Sequence, residues 1–213
     1  MRRLVRALAA LMCLAAAVVF VWIGVTLVWG DPITGRGAAR AQAQLRSELA
    51  RTDNAWKQAH GHGATPRPAS VQFRRGLTEG DAIGEIVIPR IGLHSVVVQG
   101  TAASDLSRGP GHYAMTPLPG SGGTVAIAGH RTTYGQPFRH IDELRRGDTV
   151  ALAMAYGTFR YRVYATRIVD DRDWSIIRPR PFEQVVLSAC HPLYSAAQRI
   201  VVFARLASAE RAA

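Results

Sequence analysis

Cys190 and Arg199 stand at the facing ends of two apolar runs, residues 185–190 and 200–206, separated by a polar connection of eight residues, 191–198. Both runs are rich in β-branched residues and read as strands. Side chains alternate faces along a strand, so Val185, Leu187 and Ala189 share one side and Val186, Ser188 and Cys190 the other. In the second run Ile200, Val202, Ala204 and Leu206 form the apolar face, which leaves Arg199 on the opposite one. Antiparallel pairing across the connection would bring Cys190 and Arg199 out side by side on one surface. A thiol beside a guanidinium offers a nucleophile and an electrophilic partner.

An ordinary thiol titrates near about pH 8.5, so a thiolate nucleophile needs a base or a cation beside it. His191 follows Cys190 directly, but on a continuing strand its side chain points to the other face. His130 fits better. Residues 124–128 read as a short strand in which Val125 and Ile127 share the bulky face, and the opposite parity carries His130 to the outer surface at the strand's end. By parity, three reactive groups then fall on the solvent side of three strands. No comparable geometry follows for His94, His112 or His140.

The elements that must hold these groups begin with an anchor. Residues 7–29 carry no charge, and a helix of that length spans about 35 Å at roughly 1.5 Å per residue, enough to cross a bilayer. Arg2, Arg3 and Arg6 precede it, which puts the N-terminus in the cytoplasm and the remainder outside. The apolar stretch exceeds the roughly 7–15 residues of a signal peptide core, so an uncleaved anchor is expected. Cys13 lies inside this segment, leaving Cys190 as the lone exported thiol. Such a cysteine pairs between molecules, packs as a small hydrophobe, or is kept free for chemistry.

The net charge is +11, with 25 arginines and a single lysine, Lys57. The extracytoplasmic placement makes nucleic acid the weakest candidate partner, so no nucleic acid is expected; anionic lipid and an acidic wall polymer fit better, and a plain solvated surface is favoured over either. Residues 38–57 carry Leu45, Leu49 and Trp56 at helical spacing and read as a weakly amphipathic stalk. Residues 60–69 alternate Gly, His and Pro and read as a flexible linker, with His60 and His62 as polar spacers. Gly30-Asp31-Pro32 reads as a helix break and a plain turn. From residue 81 onward strands dominate: 83–88, 93–98, 124–128, 149–154 and 158–169, with one helical turn at 103–108 and a loop at 170–181 carrying Trp174. Many short strands with little helix indicate a β-barrel or sandwich. The expected domains are a tip and anchor at 1–30, a juxtamembrane helix and linker at 31–80, a globular domain at 81–207 and a tail at 208–213.

Gly109-Pro110-Gly111-His112-Tyr113, Ala126-Ile127-Ala128-Gly129-His130-Arg131, Leu187-Ser188-Ala189-Cys190 and Arg199, in that order, resemble the sortases. The resemblance covers residues 81–206. Gly129-His130-Arg131-Thr132-Thr133-Tyr134-Gly135 with Cys190-His191-Pro192 is most similar to the class E sortases of high-GC Gram-positive bacteria. It implies an eight-stranded sortase barrel and a membrane-anchored cysteine transpeptidase. Its partners are secreted proteins with a C-terminal Leu-Pro-X-Thr-Gly or Leu-Ala-X-Thr-Gly motif and an amine of a peptidoglycan precursor. By match to the family motifs Cys190 is the nucleophile, His130 the acid and base, and Arg199 the oxyanion partner. No metal or organic cofactor is required. The family's usual Thr before the cysteine is replaced by Ala189, with Ser188 before it. The resemblance makes Ser188 and Ala189 candidates to contact the substrate, and Tyr113, Tyr134 and Trp174 are candidates to line the peptide groove, Tyr134 first. The alternatives are a cysteine L,D-transpeptidase, whose histidine sits only a few residues from its cysteine, and a non-enzymatic basic module that binds the wall.

Overall fold

Strand alternation sorts the apolar residues onto two surfaces, and the computed structural model, which describes residues 2–29, 32–61 and 65–212, shows how they close. Eight strands occur among the described residues: β1 (Ala82–Ile88), β2 (Leu93–Gln99), β3 (Gly111–His112), β4 (Thr124–Ala128), β5 (Thr149–Met154), β6 (Gly157–Asp170), β7 (Gln184–His191) and β8 (Gln198–Arg211). They form a closed barrel in the spatial order β1-β2-β3-β4-β7-β8-β6-β5. Val125, Ile127, Val185, Leu187, Ala189, Ile200, Val202 and Ala204 point into its core, as alternation requires. Bulges in the β6–β8 pairing, between Arg160 and Tyr161 and between Val163 and Ala165, supply the extra twist that closure demands.

β4 and β7 are buried along both faces. Their outward residues Ala126 and Val186 join Val201 and Phe203 in a second apolar cluster, packed against Tyr113, Ile176 and Ile177. Strands covered on both sides read as continuous apolar runs, which is how these two look in sequence. They pair in parallel, Ala128 opposite Ser188, so the chain must cross over between them. That crossover is the β5–β6 hairpin.

Three longer helices precede the barrel: α1 (Arg2–Trp29), α2 (Pro32–His60) and α3 (Pro66–Arg75). A fourth, α4 (Ala103–Leu106), is the expected single turn. Residues Arg2–Val25 of α1 are long and apolar enough to cross a membrane. The break expected at Gly30 and Asp31 lies outside the described residues, as does His62; Pro32 opens α2, a position that its fixed φ and missing N–H suit.

α2 is longer than its sequence signal, because Gly35 and Gly37 each weaken a helix by about 1 kcal/mol. Its buried residues Ala38, Leu45, Leu49 and Trp56 recur at intervals of seven, four and seven, one stripe along one face. Leu45 and Leu49 pack on Ala82, Val96 and Val98 outside the barrel. Burying a leucine contributes about 1.5–3 kcal/mol, enough to offset the glycines. Gln42 completes the fit. Its amide accepts from the Val96 N–H at 2.8 Å and donates to the Val96 carbonyl at 3.1 Å, taking the role of a neighbouring strand beside β2.

The linker expected over residues 60–69 is overturned in part. α3 starts at Pro66 and buries Ala69, Ser70 and Phe73. Phe73, Trp56 and Tyr156 meet edge to face, with ring centroids 5.4–6.1 Å apart, and join the main core.

Candidate active site

Cys190 is the penultimate residue of β7 and Arg199 the second residue of β8, and the two are direct cross-strand partners. Side chains so opposed have Cβ atoms about 5 Å apart. Cys190 is half-buried and free. The Arg199 guanidinium donates from Nη1 to the carbonyls of Ala196 and Gln198, both at 2.9 Å. Those bonds fasten it to the β7–β8 loop, while a guanidinium has five N–H donors in all.

His130 follows β4 by two residues. The Gly129 N–H donates to the Ser188 carbonyl at 3.0 Å, carrying the β4–β7 register one step past the strand. That bond brings the residue before His130 alongside Ser188, near the end of β7. The Phe138 N–H donates to the His130 carbonyl at 3.0 Å and closes the loop behind it. Gly129 has no room for a side chain: a Cβ there would stand 2.5 Å from the Phe138 ring. Burial pushes the His130 imidazole below its ordinary pKa. At neutral pH it is therefore a neutral base, able to accept a proton.

Arg131, which sequence reasoning passed over, is 3% exposed. Its Nη2 pairs with Asp142 at 2.9 Å, its Nε donates to the Arg139 carbonyl at 3.4 Å, and its Nη1 reaches the Cys190 carbonyl at 3.4 Å. The guanidinium thus ties the turn Ile141–Glu143 to the backbone of the cysteine itself. Arginines are almost never fully buried unless paired, so a strand-end arginine gives no sign of this in sequence.

The aromatic candidates separate into two groups. The Tyr113 hydroxyl lies 3.1 Å from the Ser188 hydroxyl, and the Tyr113 and Trp174 rings meet edge to face at 6.5 Å. These three residues form one cluster on the outer face of β4 and β7, with Trp174 60% exposed in the short helical turn Trp174–Ile177. Tyr134 stands apart, its ring 5.0 Å from that of His130. Ala189 belongs to neither: its methyl group points into the barrel core, on the face away from Cys190.

A cleft of about 680 Å³ between α2 and α3, lined by Trp56, His60, Phe73 and Asp81, contains none of the three reactive groups. Among the described residues no cluster of three or more His, Cys, Asp or Glu side chains is placed to hold a metal ion.

A closed barrel that displays a thiol, an imidazole and a guanidinium at one rim has the parts for thiol-dependent acyl transfer. A sortase domain model matches residues 86–207. Sortase D of Bacillus subtilis (strain 168) is 36% identical over 130 residues, a match covering 59% of this chain and 64% of the relative. The chain therefore spans slightly less than two thirds of that curated relative. Sortase E of Streptomyces avermitilis superposes with a TM-score of 0.59 at 33% identity, over 63% of this chain and 93% of that one. A sortase D5 transpeptidase of Clostridium perfringens, 23% identical, shares the fold with a TM-score of 0.67 over 79% of this chain and 99% of that one. The chain belongs to the sortase family. The expected likeness to E-type sortases is accompanied by one to D-type sortases.

Proposed function

We propose that the protein is a membrane-anchored transpeptidase, held by α1 with its N-terminus in the cytoplasm and its barrel outside, that transfers secreted proteins to a cell-wall amine. The substrate carries Leu-Ala-X-Thr-Gly or Leu-Pro-X-Thr-Gly near its C-terminus. The Cys190 thiol gives its proton to the neutral His130, and the sulfur so freed attacks the threonine carbonyl. The tetrahedral oxyanion is met by the Arg199 guanidinium. Protonated His130 then gives its proton to the glycine amine as the Thr–Gly bond breaks, leaving a thioester on Cys190. An amine of a peptidoglycan precursor attacks that thioester, His130 takes its proton, and the new amide leaves as the thiol is restored.

The register that pairs Cys190 with Arg199 carries this reading. It is supported by the depressed basicity of His130, since a base that is neutral at pH 7 can accept a thiol proton. The cluster of Tyr113, Trp174 and Ser188 supports a peptide groove on the outer face of β4 and β7. Arg2, Arg3 and Arg6 before the apolar helix support the orientation.

The test uses the full chain in detergent micelles, incubated with a peptide of each motif, with and without added amine, and followed by mass spectrometry. The expected result is an acyl adduct on Cys190 that amine displaces and that Cys190→Ala lacks, while its thermal unfolding matches the wild type. A folded protein whose thiol neither peptide modifies would overturn the reading.

A further inference from the structure

Tyr134, Gly135 and Gln136 all adopt positive φ, at 51°, 74° and 48°. Each non-glycine residue held there costs of order 1 kcal/mol, so something must maintain the turn. The answer lies 100 residues away in sequence. The Tyr134 N–H donates to the side-chain hydroxyl of Thr34 at 2.7 Å. Thr34 is in the first turn of α2, five residues beyond Trp29, where α1 ends. One turn later, the Ala38 methyl would lie 3.5 Å from a Cβ placed on Gly135, so the helix sits directly on the turn. The same Tyr134 carries the ring that packs at 5.0 Å, tilted 38°, against His130.

We propose that Thr34 is a positioning residue for His130: its hydroxyl fixes the Tyr134 backbone, and the Tyr134 ring in turn sets the imidazole. The stretch just after the membrane anchor is then part of the active-site framework, and the catalytic loop is clamped to the point where the chain leaves the apolar helix. Thr34 acts through Tyr134 and touches no substrate. The inference rests on His130 being the acid and base of the proposed reaction.

Thr34→Val keeps the shape and removes the acceptor; Thr34→Ser keeps the acceptor. Both are made in the full chain in micelles and compared with the wild type by steady-state transpeptidation and by the ring resonances of His130 in histidine-labelled NMR spectra. For Thr34→Val the expected result is a kcat lower by about fivefold to tenfold, the kinetic equivalent of one net hydrogen bond, with KM within about twofold. The His130 ring signals shift or broaden, and Thr34→Ser restores kcat and spectrum together. A wild-type kcat in Thr34→Val, a loss that Thr34→Ser fails to restore, or an unmoved His130 resonance would each overturn the inference. Should Thr34→Val also unfold more easily, the His130 signals of its folded fraction decide the matter. The two readings fail separately: a wild type that forms no acyl adduct removes the transpeptidase, while the NMR comparison still judges the link from Thr34 to His130.

Discussion

Cys190 and Arg199 face each other across the last rungs of the β7–β8 ladder, so one hairpin sets the backbone positions of both. The pairing places a cation beside the thiol through backbone register, and the carbonyls of Ala196 in the loop and Gln198 at the start of β8 hold the guanidinium at its outer end.

Arg199→Ala is expected to lower kcat by about 10²–10³, the range seen when one oxyanion donor is removed. Arg199→Lys keeps the charge but not the planar fork, and recovers only part of the rate. Both variants unfold within a few degrees of the wild type, because the side chain is half-exposed and contributes no core packing. Single-turnover acylation and a thermal melt check the two halves of the expectation.

Arg131 should matter more for stability. Arg131→Met keeps most of the volume but removes the guanidinium donor from the partly buried carbonyls of Cys190 and Arg139. The expected cost is about 1–3 kcal/mol. Asp142 is about half-exposed, so Asp142→Asn loses only a solvent-screened pair and costs less than about 1 kcal/mol. Urea unfolding of the two variants separates the roles; equal losses would mean that the ion pair, not the backbone contact, fixes the end of β7.

The placement of Cys190, Arg199 and His130 was legible because side-chain parity along a strand is a local property, readable in β4, β7 and β8 even though apolar residues occupy both of their faces. β5 and β6 were legible for the same reason, and each lies within a few residues of its expected range. What escaped is set by tertiary context. β3 has two residues, too few for any period to register, and exists because β2 and β4 flank it. α3 was hidden by Pro66, Pro68 and a polar composition; it is stabilised by burying Phe73 among Trp56 and Tyr156. Thr34 and Arg131 gave no sequence signal because their partners are 100 and about 60 residues away.

Gly129→Ala tests how tightly His130 is held. Phe138 is fully buried, so its ring has nowhere to retreat from a methyl group that would stand 2.5 Å away. Overpacking of this kind costs about 1–3 kcal/mol. The strain falls on the bond next to His130, so the loss of kcat should exceed what the unfolded fraction accounts for. Activity per folded molecule, with folding measured by near-UV circular dichroism, gives the comparison; activity that tracks the folded fraction alone would count against it.

His112 is expected to make the barrel acid-sensitive. It is 1% exposed, with Nε2 donating to the Pro117 carbonyl at 3.2 Å and Nδ1 2.9 Å from the Gln99 side-chain amide. Burial, aided by the nearby Arg74 guanidinium and opposed by the Pro117 bond, lowers its pKa from 6.5 to about 4. The unfolded chain then binds this proton more readily than the folded one, so the contribution is fully present above about pH 6.5 and is lost as pH falls toward 4. The gap corresponds to about 3 kcal/mol. His112→Gln removes the titration, so the drop in urea-unfolding free energy between pH 7 and pH 4 should be smaller in the variant by about that amount. If wild type and variant lose stability equally over this range, the buried imidazole is not the source of the acid sensitivity.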